Sequence, residues 1–233
     1  MVQHPPKNFA VLMSDLVRSE RNPATEHLYT SFNAAIERQN RLCAEALSSP
    51  LTITLGDEFQ GLVTSFAAAA YIAREIRFDL MDGAVDCRFA LGLATLKTPL
   101  NTERAWNMMG PGLASTRARL NEKRGNNFYR FSIPDHPVIE TMLEASGASL
   151  TAIERSWTAT QRADIRALLK GNSPTEIAKR RNVTVHTIYK VRGSGDFDLY
   201  LIHWNAIREA LAEMDRLFSM KKGEQWSTRL STP

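Results

Sequence analysis

The chain has 233 residues, of which 43% are hydrophobic and 23% are charged, a balance typical of a globular protein with a substantial core. No apolar run approaches the roughly 20 residues that span a bilayer, and the N-terminus lacks an apolar signal core, so we expect a cytoplasmic protein without a membrane span. The net charge is +4, and residues 151–233 hold 14 Lys and Arg against 9 Asp and Glu. This basic excess in the last third favours nucleic acid as a partner.

The first 133 residues alternate between strand and helix patterns. The only cysteines, Cys43 and Cys87, are far apart in sequence and are expected to be reduced, packed thiols. The order β-α-β-β-α-β, with an extra helix and strand, predicts an α+β domain: a ferredoxin-like antiparallel sheet with helices on one face. The elements are predicted at residues 9–14 (strand), 26–47 (helix), 51–63 (hairpin), 65–80 (helix), 86–96 (strand), 113–122 (helix) and 128–133 (strand).

The prolines at 134 and 137 break this pattern. We therefore predict a linker at 134–150, with a short helix and a break at residues 146–149. An all-α helix-turn-helix domain is predicted at 151–222, with a long final helix at about 199–220. Residues 223–233 are expected to form a flexible tail.

Acidic residues end two of the predicted strands. Asp57 and Glu58 lie at the tip of the hairpin, beside Gly56, and Asp15 ends the first strand. Acids that end neighbouring strands can meet, and one or two carboxylates together with phosphate oxygens suit Mg²⁺. The alternative is that these acids are ordinary solvated turn residues.

The segments around these acids resemble a known family. Asp15-Leu-Val-Arg-Ser19, followed by Gly56-Asp-Glu-Phe-Gln-Gly61, is similar to the SatD family and to the palm domain of nucleotidyl cyclases and GGDEF-type enzymes. The resemblance covers roughly residues 8–131 and implies a palm-type sheet that holds metal ions over a nucleoside triphosphate. It implies Asp15 and Asp57, with Glu58 as an alternative or additional ligand, as the Mg²⁺ or Mn²⁺ site. The residues that it places near the nucleotide are Leu16, Val17, Arg18, Ser19 and Gly56.

A third segment, residues 109–120, is similar to the cyclase segment in which an Asn holds the ribose and an Arg meets transition-state charge. Arg119 matches the Arg, but Ser115 stands where the Asn is expected, so nucleotide binding is favoured over catalysis. Gly110 and Gly112 would let a ligand approach the backbone. Arg117, Arg119, Lys123 and Arg124 would neutralise phosphates, unless they form only a solvated helix face.

Residues 158–192 resemble the helix-turn-helix of bacterial transcription regulators. Ser173-Pro174 predicts a helix start, Asn182 can adopt the left-handed turn conformation, and Thr184 can cap the second helix. That helix would read the major groove, unless the helix pair serves protein contacts instead. The predicted groove contacts are Val185, His186, Tyr189, Lys190 and Arg192, and the predicted phosphate contacts are Lys179, Arg180 and Thr184.

The sequence thus predicts a DNA-binding regulatory protein whose palm-like domain binds a nucleotide with Mg²⁺ and acts as sensor or dimeriser. The rival hypothesis is an active two-metal nucleotidyl cyclase or nucleotidyltransferase, and a third is a structural adaptor. A homodimer is expected because two-fold DNA sites usually require one. The apolar stripe of the last helix, including Trp204, predicts either the dimer seam or packing within the chain.

Overall fold

A computed structural model of the protein describes residues 7–17, 25–123, 125 and 127–220. The predicted tail and the predicted ligand contacts Arg18, Ser19 and Arg124 lie outside the described residues. In chain order the elements are β1 (Asn8–Leu16), α1 (Thr25–Leu42), β2 (Leu47–Ile53), β3 (Glu58–Val63), α2 (Phe66–Asp82), β4 (Cys87–Thr95), α3 (Leu113–Asn121), β5 (Tyr129–Ser132), α4 (Pro137–Ser156), α5 (Ala159–Leu169), α6 (Pro174–Arg181), α7 (Val185–Ser194) and α8 (Phe197–Leu217).

The described strands form one mixed sheet in the order β2-β3-β1-β4-β5. β1 is central and runs antiparallel to β3 and β4. β5 pairs parallel to β4, so the expectation of a purely antiparallel sheet is wrong at this edge. The parallel pair arises because the chain crosses the sheet through α3 between these two strands. The predicted α+β class is confirmed.

Both faces of the sheet are covered. Along β1, Ala10 and Leu12 point into the main core with α1 and α2, while Phe9, Val11 and Met13 point into a smaller apolar cluster on the other face. That second face, here called the α3 face, is covered by α3 through side chains that include Leu120. The prediction of helices on one face only is therefore wrong, because α3 lies opposite α1 and α2.

The predicted linker is instead part of α4, a single helix that runs through the expected break at residues 146–149. Gly147 is needed there because a Cβ at this position would lie 2.7 Å from the carbonyl oxygen of Tyr129 on β5. Leu143 and Leu150 of α4 belong to the main core, so that core continues from the sheet into the C-terminal helices.

The last helix, α8, packs within the chain. Trp204 is 1% exposed, and the Arg74 guanidinium of α2 lies 4.8 Å from the centre of its ring. Trp204 is therefore a core residue and cannot belong to a dimer seam. Cys43 and Cys87 are both buried, and no disulfide joins them. Among the described helices, none combines the length and apolar character that a membrane crossing requires.

Candidate functional site

The structure brings the predicted acids to one end of the sheet. Asp15 on β1 lies directly opposite Glu58 on β3, and both belong to the α3 face because they alternate in step with Met13. The hairpin tip rests against the end of β1, where the backbone N–H of Leu16 donates to the carbonyl oxygen of Asp57 at 2.9 Å. The side chain of Asp57 is half-buried.

Each of the two facing carboxylates is bound by an arginine. Arg88, the β4 neighbour of Asp15, donates to both of its oxygens, from Nε at 2.9 Å and from Nη2 at 2.5 Å. Arg117 of α3 donates to Glu58 Oε2 at 2.6 Å and to Gln60 Oε1 at 3.1 Å. These are short, charge-assisted hydrogen bonds, so they fix both carboxylates in place.

Burial raises the pKa of Asp15 above its ordinary value. Arg88 opposes this by its hydrogen bonds and its charge, as does the charge of Lys123, whereas the negative charge of Glu58 raises the pKa further. The charges of Arg88, Lys123 and Glu58 therefore all act on the Asp15 carboxylate.

In this arrangement arginines are the partners of two ligands of the predicted Mg²⁺ or Mn²⁺ site, Asp15 and Glu58, and the third, Asp57, lies at the hairpin tip. The guanidinium groups occupy the oxygens of Asp15 and one oxygen of Glu58 that a metal would need. Within the described ranges, no group of three or more His, Cys, Asp or Glu side chains is placed to hold a metal ion. The sequence prediction missed Arg88 because only the strand register identifies it as the partner of Asp15.

The backbone groups predicted to meet a nucleotide are already used by the fold. Leu16 N–H binds Asp57, and Val17 N–H donates to the carbonyl oxygen of Asp86 at 2.8 Å. A Cβ at Gly110 or Gly112 would lie less than 2 Å from a carbonyl oxygen of β4, so these glycines allow the loop to pack on that strand. Gly56 has a φ of +82° and open space around it, which identifies it as a turn residue.

The proposed catalytic group Arg119 is also engaged. It donates to Glu122 at 3.0 Å and binds Glu140 of α4. Ser115 donates to the Gly112 carbonyl oxygen at 3.1 Å and accepts from Ser132 at the same distance. Arg119 thus ties α3 to α4, whereas Arg117 points to the sheet, and the two arginines do not converge on one ligand.

A cavity of about 220 Å³ adjoins the acid–arginine group on the α3 face. Gln60 and Arg117 form its polar side, and Gln60 Nε2 also donates to the Ala105 carbonyl oxygen at 2.5 Å. Sequence reasoning missed this cavity because the loop after β4 closes it. Its apolar lining includes Val11, Met13, Leu62, Met108 and Leu113.

The local geometry predicted for α6 and α7 is confirmed. Ser173 and Glu176 form a capping box at the start of α6, and Pro174 is the first residue of that helix. Asn182 adopts the left-handed conformation with φ 54° and ψ 47°, and the Thr184 side chain accepts from the Thr187 N–H at the start of α7. Arg181, the last residue of α6, binds the buried carboxylate of Asp164 on α5, which fixes α6 against α5.

The outer surface of α6 and α7 is exposed at most of the predicted DNA contacts, namely Lys179, Arg180, Thr184, His186, Tyr189 and Lys190. The other two predicted groove contacts, Val185 and Arg192, are half-buried. Val185 packs against the main core. Arg192 donates to Asp198 at 2.6 Å and lies over the ring of Phe197, so its charge is used within the chain.

Comparison with known proteins identifies the family. The SatD family model matches residues 9–208, well over half of the chain. The chain belongs to the SatD family. For this SatD-family protein the matched region continues past β5 and through α7, so the helical segment lies within it as well as the sheet.

Other comparisons are weaker. Two structures of a bacterial light-regulated adenylyl cyclase have TM-scores of 0.38 and 0.36 and identities of 13% and 12%. Each alignment covers 56% of this chain, and the chain spans less than half of those structures, 44% and 45%. No curated protein matches the chain.

Proposed function

We propose that this SatD-family protein is a DNA-binding regulatory protein and that α7 enters the major groove. The observation that carries the proposal is the division of α7 into two faces. Ile188 is fully buried, while His186, Tyr189 and Lys190 are exposed together. A capped helix after a tight turn, with polar side chains along its outer face, is the geometry used to read base edges.

The neighbouring groups support contacts with the DNA backbone. Lys179 and Arg180 are exposed near the end of α6, and Thr184 lies at the start of α7. Cations and a helix N-terminus are typical phosphate contacts, which position the protein without specifying sequence. The basic excess of residues 151–233 acts in the same direction.

The proposal is tested by fluorescence anisotropy with a labelled random duplex at several salt concentrations. Binding should weaken as salt rises, and Lys179→Ala should reduce the slope of log K against log salt by about 0.9, the value for one phosphate contact. Lys190→Ala should weaken binding as well. Lys97→Ala removes an exposed lysine of the sheet region and is the matched control. Absence of binding at micromolar protein, or an equal loss in Lys97→Ala, would reject the proposal.

We further propose that the α3 face is a sensor site for a nucleotide. The apolar part of the cavity offers room for a base, and Arg117, which lines it, would exchange Glu58 for a phosphate oxygen. Because the carboxylates are bound to arginines, binding should not require a divalent cation. ATP or GTP in EDTA should raise the unfolding temperature of the wild type. At a ligand concentration of one hundred times the dissociation constant, the expected gain in the free energy of unfolding is about 2.7 kcal/mol.

Arg117→Ala should abolish that stabilisation, and Arg41→Ala on the exposed face of α1 should retain it. A shift that appears only with Mg²⁺ or Mn²⁺ would contradict a metal-free site. An active cyclase or nucleotidyltransferase is the less favoured function, because Arg119 is tied to Glu122 and Glu140.

A further inference from the structure

A second cavity of about 220 Å³ lies on the α2 side of the sheet, away from the α3 face. Its walls come from the end of α2, the loop that leads into β4, and the junction of α4 with α5. The charged residues of its described lining are Arg77, Arg155, Arg162, Asp86 and Glu154.

The buried arginine at the floor of this cavity is already paired within the chain. Arg77 is 1% exposed and donates from Nε to Glu154 at 3.1 Å and from Nη1 to Asp86 at 2.9 Å. Glu154 also accepts from the Tyr129 hydroxyl at 2.7 Å. The guanidinium of Arg77 is therefore satisfied by the chain itself, and its two carboxylate partners leave no free cationic charge at the floor.

The other two arginines have no such partners. Neither Arg155 nor Arg162 forms a salt bridge with any residue in the described ranges. The Arg155 guanidinium lies 5.7 Å from the ring centre of Phe128, and Arg162 Nη1 makes only a long bond of 3.4 Å to the Trp157 carbonyl oxygen. Arg162 Nε is buried with no hydrogen-bond partner among the described residues, a state that costs free energy until an acceptor arrives.

We propose that this cavity binds a small oxyanion, held by Arg155 and Arg162 through a phosphate or carboxylate group. Guanidinium groups present planar pairs of N–H donors that match the oxygens of such groups. The volume suits a small molecule or the anionic end of a larger one. The site does not depend on the proposed DNA binding. Because Arg155 lies on α4 and Arg162 lies in the first turn of α5, a bound anion would join these two helices.

The test uses the full chain and titrates inorganic phosphate at constant ionic strength, with chloride as the balancing ion. Binding is followed by thermal unfolding and by phosphorus NMR line broadening. A saturable response is expected for the wild type. Arg155→Gln and Arg162→Gln should each weaken binding by about tenfold or more, because each removes a charge-assisted donor. Arg41→Gln on α1, whose side chain is 72% exposed, is the matched control and should bind as the wild type does.

A parallel titration with acetate separates the two chemistries. A response to phosphate but not to acetate identifies a phosphate-bearing ligand. A response to acetate that depends on the same arginines identifies a ligand with a carboxylate group. Because Arg155 is exposed, Arg155→Gln should keep the wild-type circular dichroism spectrum even if Arg162→Gln loses stability. The proposal is overturned if neither anion gives a saturable response, or if folded Arg155→Gln binds both as tightly as the wild type.

Discussion

At the scale of single residues, Glu154 is the most connected buried acid that the structure describes. Its carboxylate accepts from Arg77 of α2, from the Tyr129 hydroxyl of β5 at 2.7 Å and from the Tyr200 hydroxyl of α8 at 3.5 Å. Burial raises the pKa of Glu154, and the charge of Arg77 opposes that rise. One side chain of α4 therefore joins three other elements inside the core.

Glu154→Ala should lower the free energy of unfolding by about 3–5 kcal/mol, because it leaves Arg77 buried with only Asp86 as its carboxylate partner. Urea denaturation followed by circular dichroism measures the loss. Glu209→Ala on α8, whose side chain is 72% exposed, should change stability by less than about 1 kcal/mol. Equal effects of the two substitutions would show that the buried network does not stabilise the fold.

The metal ligands predicted from the sequence show how far sequence reasoning reaches at the residue scale. The sequence correctly placed Asp15 and the hairpin acids at one end of the sheet, because strand ends can be read from apolar alternation. The partner of each acid depends on strand register and on where α3 crosses the sheet. Arg88 lies 73 residues from Asp15, and no local pattern connects them.

At the scale of elements, α2 begins with two caps. Ser65 Oγ accepts from the Ala68 N–H at 3.1 Å, which a sequence pattern can indicate. The second cap is Asp215 of α8, whose carboxylate accepts from the N–H groups of Phe66 at 2.5 Å and Ala67 at 3.0 Å. An acid from a distant helix thus accepts hydrogen bonds from the N–H groups in the first turn of α2, which have no partner within that helix.

Burial raises the pKa of Asp215 to about 6, although both backbone hydrogen bonds lower it. Because this pKa lies above the unfolded value, the folded chain binds the proton more tightly. The stabilisation from that proton is complete below about pH 4 and is lost as pH rises through about 6. Asp215→Asn should therefore flatten the fall in unfolding free energy between pH 4 and pH 7. Urea titrations at several pH values measure the free energy of unfolding of the wild type and of Asp215→Asn. An identical dependence on pH in the two proteins would refute this role for Asp215.

Element boundaries were predicted less well where packing overrides local preference. The helix expected to reach residue 47 ends at Leu42, and a single 3-10 turn at Ala44–Ala46 leads into β2. The residues of this turn favour helix, yet Cys43 and Ala46 must fill the core beside the sheet. β2 begins earlier than expected and tolerates Pro50 because it is an irregular edge strand.

At the scale of the whole molecule, proposed binding to a two-fold DNA site predicts a homodimer. Light scattering should then give twice the chain mass of 26.1 kDa. The exposed side of α8 carries Ile202, which is 64% exposed, so Ile202→Glu should yield a folded monomer if α8 forms the seam. Trp204→Ala should instead destabilise the fold by about 3–5 kcal/mol, since it opens a cavity in the core. A wild-type chain that stays monomeric on duplex DNA would contradict this expectation.

The continuity of α4 has a practical consequence for dissecting the protein. With 20 residues the helix is about 30 Å long, and it is bound to both the sheet region and the C-terminal helices. Glu140 near its start binds α3, and Glu154 near its end binds α2 and α8. A fragment that stops at residue 133 would expose the apolar surface that α4 and α8 now cover. Expressed alone, either half should aggregate, so assays of separate halves would measure damaged surfaces instead of independent modules.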